Sequence, residues 1–576
     1  MSTTFERVAK ILENETEPAN WIEKAFASIG NDKAMKYNTV AELKADTNLE
    51  AGNVVITSGY TTENDNGGAV YVISGTNSRA CSIQLNNGKY AVLVGDTFNT
   101  RQIGIKDGDK AQAIINSYIA DTSFSKLIVV DDIHLKKPAS GQSAENIDLV
   151  KINRDNFVLE FRGGKFTLET LGEDYYRMIS VSGTNAAPVK NVVIIDPVLT
   201  GDADTIGIEV GEQGHGLFIY DASNITVYNG NISKCFGDAV VIAAGADDVT
   251  FIGTLYCSSC GRQGISVVDG KNIFFDNIVG SDIRRTSPSA VIDFEPNSAD
   301  HEIIARVNTV RAINCKKAVL VAGPADKAIT IGTVISEHDS NAYDNDVEIY
   351  GTANSNTDFD VSVEIGRMIV SNLHSRCIDL QYLTSGISLN IEDVIIKGAT
   401  KTTANSSGEA TVMFTNKVGS VIKNIKINNI TVTGNSSAVA SLGVFGSGAA
   451  TLKDCLINYN DDAAYPVTCA LYGFTLDNTF IRSHRASDAK LFMCSSNDQY
   501  VLLGDTNLVA AANVLDIFIV NPYGANVHLF KTGLTGYTIN TADFITDGTY
   551  FTFTGCAAIA LHFNHTAKTI KATKIG

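Results

Sequence analysis

Proline and tryptophan are scarce, with 9 and 1 in 576 residues, and charged residues make up only 19% of the chain. An ordinary soluble domain carries roughly 25% charge, and the shortfall speaks against helical bundles and coiled coils. No stretch approaches the roughly 18 consecutive apolar residues of a membrane span, so no membrane insertion is expected. The start, Met1-Ser-Thr-Thr-Phe-Glu-Arg7, has neither a basic leader nor an apolar run, which predicts a product made in the cytoplasm. Cationic excess is missing as well. With 45 Lys and Arg against 63 Asp and Glu the net charge is −18, which disfavours a general phosphate-binding surface and hence nucleic acid as a partner. Ten cysteines are scattered, and Cys257-Ser-Ser-Cys260 is the only close pair. No second pair stands at metal-ligand spacing, so buried free thiols are expected, with neither a metal nor a cofactor. A phosphate loop, a dinucleotide fingerprint and a Ser-His-Asp order are all lacking.

What the chain has is 44% hydrophobic residues and 48 glycines, with abundant Asn, Thr, Val and Ile. This excludes disorder and collagen and is the composition of a β protein with many turns. One tetrapeptide type recurs at an interval of 24: Asn224-Ile-Thr-Val227, Asp248-Val-Thr-Phe251 and Asn272-Ile-Phe-Phe275, with looser copies at 191, 301 and 327. A second set lies between them: Ala239-Val-Val-Ile242, Gly264-Ile-Ser-Val267, Val291-Ile-Asp-Phe294 and Ala318-Val-Leu-Val321. A unit of two or three short strands cannot bury its own apolar face, whereas stacked copies share one core. The fold class is therefore all-β, a parallel β-helix. Strand alternation points Val240 and Ile242, Ile265 and Val267, Ile292 and Phe294, and Val319 and Val321 inward.

Four segments follow. Residues 1–30 read as two short amphipathic helices around Pro18, either a frayed terminus or a docking peptide. Residues 31–100 alternate as a small β cap, 101–398 form the β-helix, and 399–576 lose the rhythm and read as one or two C-terminal β-sandwich modules after a linker at 402–408.

The run Arg101-Gln-Ile-Gly-Ile-Lys-Asp-Gly-Asp109, followed by the helical Ala111-Gln-Ala-Ile-Ile-Asn116, resembles the opening of the pectate-lyase-like right-handed β-helix superfamily, without the acidic pair usual between the two. Thr39-Val-Ala-Glu-Leu-Lys44, Gly52-Asn-Val-Val-Ile56, Asn66-Gly-Gly-Ala-Val-Tyr71, Gly261-Arg-Gln-Gly-Ile-Ser266 and Ile292-Asp-Phe-Glu-Pro-Asn297 are similar to tailspike capsule depolymerases of bacteriophages infecting encapsulated enteric bacteria such as Klebsiella. That resemblance covers residues 39–300. It implies a homotrimer on the virion that binds and cleaves bacterial capsular polysaccharide. It also implies that residues 1–30 attach it to the phage tail or to a second tailspike, and that the C-terminal modules trimerise or bind carbohydrate.

Aligning the repeats gives two outward columns, Phe218, Val241, Ser266, Asp293, Leu320 and Tyr220, Ala243, Val268, Glu295, Ala322. Each carries a carboxylate on one rung. Asp293 and Glu295 share a strand face with Cα atoms roughly 6.6 Å apart, which suits either a retaining or an inverting pair of glycosidic acids; the plainer reading is a solvated strand face. Arg262 and Gln263 precede the strand one rung earlier, and Arg284 and Arg285 sit in the turn leading into the Asp293 strand. They are candidates to bind a uronate or pyruvyl carboxylate, or else structural ion pairs. Asp238 is a candidate contact for a neighbouring sugar. His215 or Tyr220, with an arginine, is a candidate for a β-eliminating lyase, although a histidine between glycines is more often a turn residue. Three readings stay open: a glycoside hydrolase, a polysaccharide lyase, and a spike that binds glycan without cutting it.

Overall fold

A computed structural model describes residues 34–136, 147–169, 175–206, 212–339, 345–350, 359–373, 376–383, 386–399 and, beyond 410, mainly the strands as far as 575. The expected attachment segment 1–30 and the linker 402–408 lie outside the described residues. The chain divides into two compact units, residues 1–256 and 257–576.

In the first unit, strands Ala34–Tyr37, Val54–Thr57, Val70–Ser74, Tyr90–Leu93 and Ile83–Gln84 make a five-stranded sheet in that order. Thr39 caps the short helix Val40–Ala45, its hydroxyl accepting from the Glu42 amide, a satisfied orphan donor at the helix start. Arg101 then forks onto the buried Asp131, Nε at 2.9 Å and Nη2 at 2.7 Å, while its Nη1 donates to the Asp65 carbonyl. Next comes helix Gln112–Ala120, whose Ile115, Tyr118 and Ile119 are buried. Asn116 binds the strand Asp148–Ile152 through the Leu149 carbonyl and the Lys151 amide, and Tyr118 stacks on Phe124 at 4.1 Å.

Beyond the helix the backbone winds in coils, each strand pairing in parallel with the one a coil away. Residues 214–236 show a whole turn: strand Gly214–Tyr220, then strand Ala222–Ser233 bent at its corners. The corners at Asp221, Asn224, Asn229 and Lys234 have φ of 44°, 54°, 51° and 57°. That region costs most L-residues roughly 1–2 kcal/mol and costs Asn and Asp less, because their short side chains can bond locally. This is why the recurring tetrapeptide begins with Asn or Asp. The same side chains bond up the stack: Asn224 Nδ2 to Asn191 Oδ1 at 2.7 Å, Asn191 Nδ2 to Asn156 Oδ1 at 2.9 Å, and Asn229 Nδ2 to Asp196 Oδ1 at 2.7 Å. Inside, Leu217 pairs with Val240 and Ile219 with Ile242, all fully buried.

The second unit repeats the plan. One sheet aligns Ile265 with Ile292 and Val319, and Val267 with Phe294 and Val321, and these inward residues are buried as alternation requires. Each such side chain gains about 1.5–3 kcal/mol on leaving water. A second sheet runs through Gly270–Ser281, Glu302–Ile313, Asp326–Glu337, Val361–Leu373 and Ile387–Ala399. Parallel pairing continues across residue 398, Ile378 with Val412 and Leu389 with Ile425. Within 399–576, where one or two β-sandwich modules are expected, antiparallel pairing is found from Val514–Val520, which pairs with Ala558–Asn564, itself paired with Thr569–Ile575. Longer turns between coils widen the interval there and hide the repeat in the sequence.

Candidate functional site

On strand Ala290–Phe294 of the second unit, Asp293 lies between Ser266 and Leu320 in register. Its neighbours inside the coil are Ile292 and Phe294, so its carboxyl faces out of the stack, and yet it is only 1% exposed. Gln263 donates its Nε2 to Asp293 Oδ2 at 2.5 Å, and Gln263 Oε1 accepts from the Ala290 amide at 2.8 Å. The backbone donor fixes which end of the amide faces which group: the carbonyl must meet N–H, so the NH2 must meet the carboxylate. Gln263 is 0% exposed and in this structure supports Asp293.

Glu295 follows directly after the strand, which stops at Phe294, so the two acids expected on one strand stand on it and just past its end; the Glu295 amide donates to the Val267 carbonyl. Its side chain is 39% exposed and pairs with Arg262 Nη2 at 3.6 Å. The next residue, Pro296, is crossed closely by the following coil at Gly323: with φ +80°, a Cβ there would stand 2.5 Å from the Pro296 carbonyl. Lys327 is buried beside this corner and donates to the Gly323 and Ala325 carbonyls. Burial pushes its ammonium down to about 8, against the pull of Asp326, Glu295 and Asp293. Of the two arginines in the preceding turn, Arg284 pairs with Asp282 at 3.6 Å and Asp339 at 4.0 Å. Arg285 is partly buried in the same turn, its carbonyl accepting from Lys316 Nζ.

The outward column runs further than the sequence repeats reveal: Leu320 pairs with Glu348 and Glu348 with Asp379. Lys317 Nζ lies 3.5 Å from Glu348, and Asp379 accepts from Arg376 at 2.5 Å and Gln381 at 2.7 Å. Between these acids, Ala290, Leu320 and Ala322 form an apolar patch with Tyr350 packed against it. Glu348 and Asp379 escape a reading at interval 24 because their coils are longer; alternation along Asn345–Tyr350 marks the first and along Arg376–Leu383 the second.

In the first unit, His215 and Asp238 are both buried. Nδ1 of His215 is 3.4 Å from the Asp238 amide and 3.7 Å from its carboxylate. Phe218 lies 5.7 Å from the His215 ring and 6.4 Å from Tyr220, and the Arg177 guanidinium covers Phe218 at 3.6 Å. Arg177 also pairs with Asp148 at 3.2 Å. Arg177 carries no sequence signal, since its strand pairs at a longer interval than the repeat.

Among the described residues no group of three or more His, Cys, Asp and Glu is placed to hold a metal ion. Described free cysteines include the buried Cys257, Cys260, Cys315 and Cys377. Burial pushes the Cys315 thiol up to about 12.

No protein-family model matches the chain, and no curated protein does. Solved structures do. A tailspike of Acinetobacter baumannii bacteriophage Fri1, described as a capsular polysaccharide depolymerase, matches at 12% identity over 73% of this chain and 72% of that one, with a TM-score of 0.36. The tailspike of E. coli bacteriophage HK620, in complex with a pentasaccharide, matches at 12% identity over 82% and 90%, with a TM-score of 0.47. A doubly substituted variant of the HK620 tailspike matches over 84% and 96%, with a TM-score of 0.49.

Proposed function

We propose that the chain is a phage tailspike that binds and depolymerises bacterial capsular polysaccharide, with Glu295 as the acid or base that meets the glycosidic bond. The carrying observation is the pair of carboxyls two residues apart at the end of one strand, one buried and held by Gln263, the other open beside Arg262. An accessible carboxyl can exchange a proton with a glycosidic oxygen or a water. A buried one fixed by an amide is held in place, and in its ionised form stabilises the positive charge that develops on the sugar. Arg262 holds Glu295 in a defined direction and offers guanidinium donors to an acidic sugar. The sequence resemblance over residues 39–300 supports the same reading, and with it a homotrimer on the virion, docked through residues 1–30. Under this reading the C-terminal region trimerises or binds carbohydrate.

The test is incubation of the protein with purified capsular polysaccharides from a panel of enteric strains, with reducing ends and chain length as readouts. Shortening of one polymer, abolished in E295Q, supports the reading. No shortening of any polymer defeats it. Hydrolysis and β-elimination products differ by one water, which mass spectrometry resolves. Retention of a polymer without new ends would mark a spike that binds only.

A further inference from the structure

We propose that Tyr220, Arg177 and Ser182 form a separate sugar-stacking platform in the first unit that takes a neutral pyranose; the inference rests on the reading of the chain as a polysaccharide-binding protein.

Three rings follow one another on strand Gly214–Tyr220, His215, Phe218 and Tyr220, with interplanar angles of 32° and 30° between neighbours. The first two are buried, and only the last is open, Tyr220 at 38% exposure. An aromatic face beside solvent suits the apolar C–H face of a pyranose ring, and here the ring is backed by others that hold its tilt. Ser182 pairs with Tyr220 in register, one strand away. Its hydroxyl accepts from Ser180 at 3.0 Å, which leaves its own proton to donate to a ring hydroxyl.

Arg177 selects the charge. Its guanidinium carbon lies over the Phe218 ring, 3.6 Å from the centroid, and the group is paired with the buried Asp148 at 3.2 Å. The positive charge is already matched, so the remaining N–H groups serve sugar hydroxyls, and a uronate would bring a second carboxylate next to Asp148. The platform and the Glu295 corner thus differ: one arginine is matched by a buried acid, the other sits beside an open one.

The test uses the full-length E295Q protein run through native gels cast with each capsular polysaccharide of the panel. The expected result is retardation by at least one polymer, about tenfold weaker in E295Q/Y220A and unchanged in E295Q/Y228A, which removes an equally exposed tyrosine that lies elsewhere in the same unit. Methyl glucoside, galactoside or mannoside should relieve the retardation where glucuronate and galacturonate at the same concentration do not. Equal behaviour of the two tyrosine variants, displacement by the uronates alone, or no retardation by any polymer overturns the platform. Cleavage is scored separately on protein with Glu295 intact. If Y220A cuts with unchanged KM, the platform falls and the depolymerase stands. If no polymer is cut and yet Y220A abolishes retardation, the reverse holds.

Discussion

Asp293 receives the Gln263 amide at 2.5 Å in a site closed to solvent, while Glu295, two residues on, stands open beside Arg262. Two carboxyls two residues apart therefore have different surroundings, and the expected consequences of substitution differ accordingly.

Replacing Glu295 by Gln should reduce the rate of capsule cleavage by about 10²–10⁴, the usual contribution of a positioned acid or base. Because the side chain is partly exposed and its ion pair with Arg262 is 3.6 Å long, the melting temperature should move little, as partly exposed pairs contribute about 0–1 kcal/mol. Reducing-end assays and calorimetry on the same preparation check both halves.

Gln263→Leu should act the other way round. It removes from the buried Asp293 carboxyl and the Ala290 amide the bonds they make with Gln263, a loss of about 1–3 kcal/mol for each buried polar group left unsatisfied. Denaturant unfolding should show a lower midpoint at unchanged slope. Adding Asp293→Leu to the variant should recover part of the loss, since both partners are then apolar.

At the corners, Asn191→Ala removes two side-chain bonds, to Asn156 and from Asn224, at a residue with φ 59°. A loss of about 2–3 kcal/mol is expected from the bonds and the left-handed backbone together. Asn191→Gly should lose less, because glycine adopts that backbone without strain. Thermal unfolding of the two variants side by side gives the split.

The pH dependence has a defined sign at Lys327, whose ammonium is pushed down to about 8 by burial. Between about 8 and the unfolded value of 10.5 the unfolded chain holds a proton that the folded chain does not. Stability from this group therefore rises with pH through that window and is lowest, and flat, below it. The difference in unfolding free energy between the parent and Lys327→Met, followed from pH 7 to 10, should shift in favour of the parent as pH rises.

The coil, the inward columns and the Asp293–Glu295 pair are legible because they depend on alternation and on a fixed interval, both local properties of the sequence. The same logic explains the recurring Asn and Asp, whose corner backbone and cross-coil bonds give the repeat its signature. What escapes is set by neighbours in space: that Gln263 is sealed under Asp293, that Arg284 pairs with Asp282 and Asp339, and that Arg177 covers Phe218. The end of parallel pairing escapes too, since coils lengthened by inserted turns carry no fixed interval past 398.

Within the described coils every parallel ladder joins residues that are near in sequence, from 22 positions for Cys469 and Leu491 to 38 for Tyr176 and Gly214. A chain of 576 residues thus closes loops no longer than those of a small domain. Chain entropy is surrendered one coil at a time, and each completed coil is the template for the next. The size of the protein adds steps to its assembly without raising the height of each one.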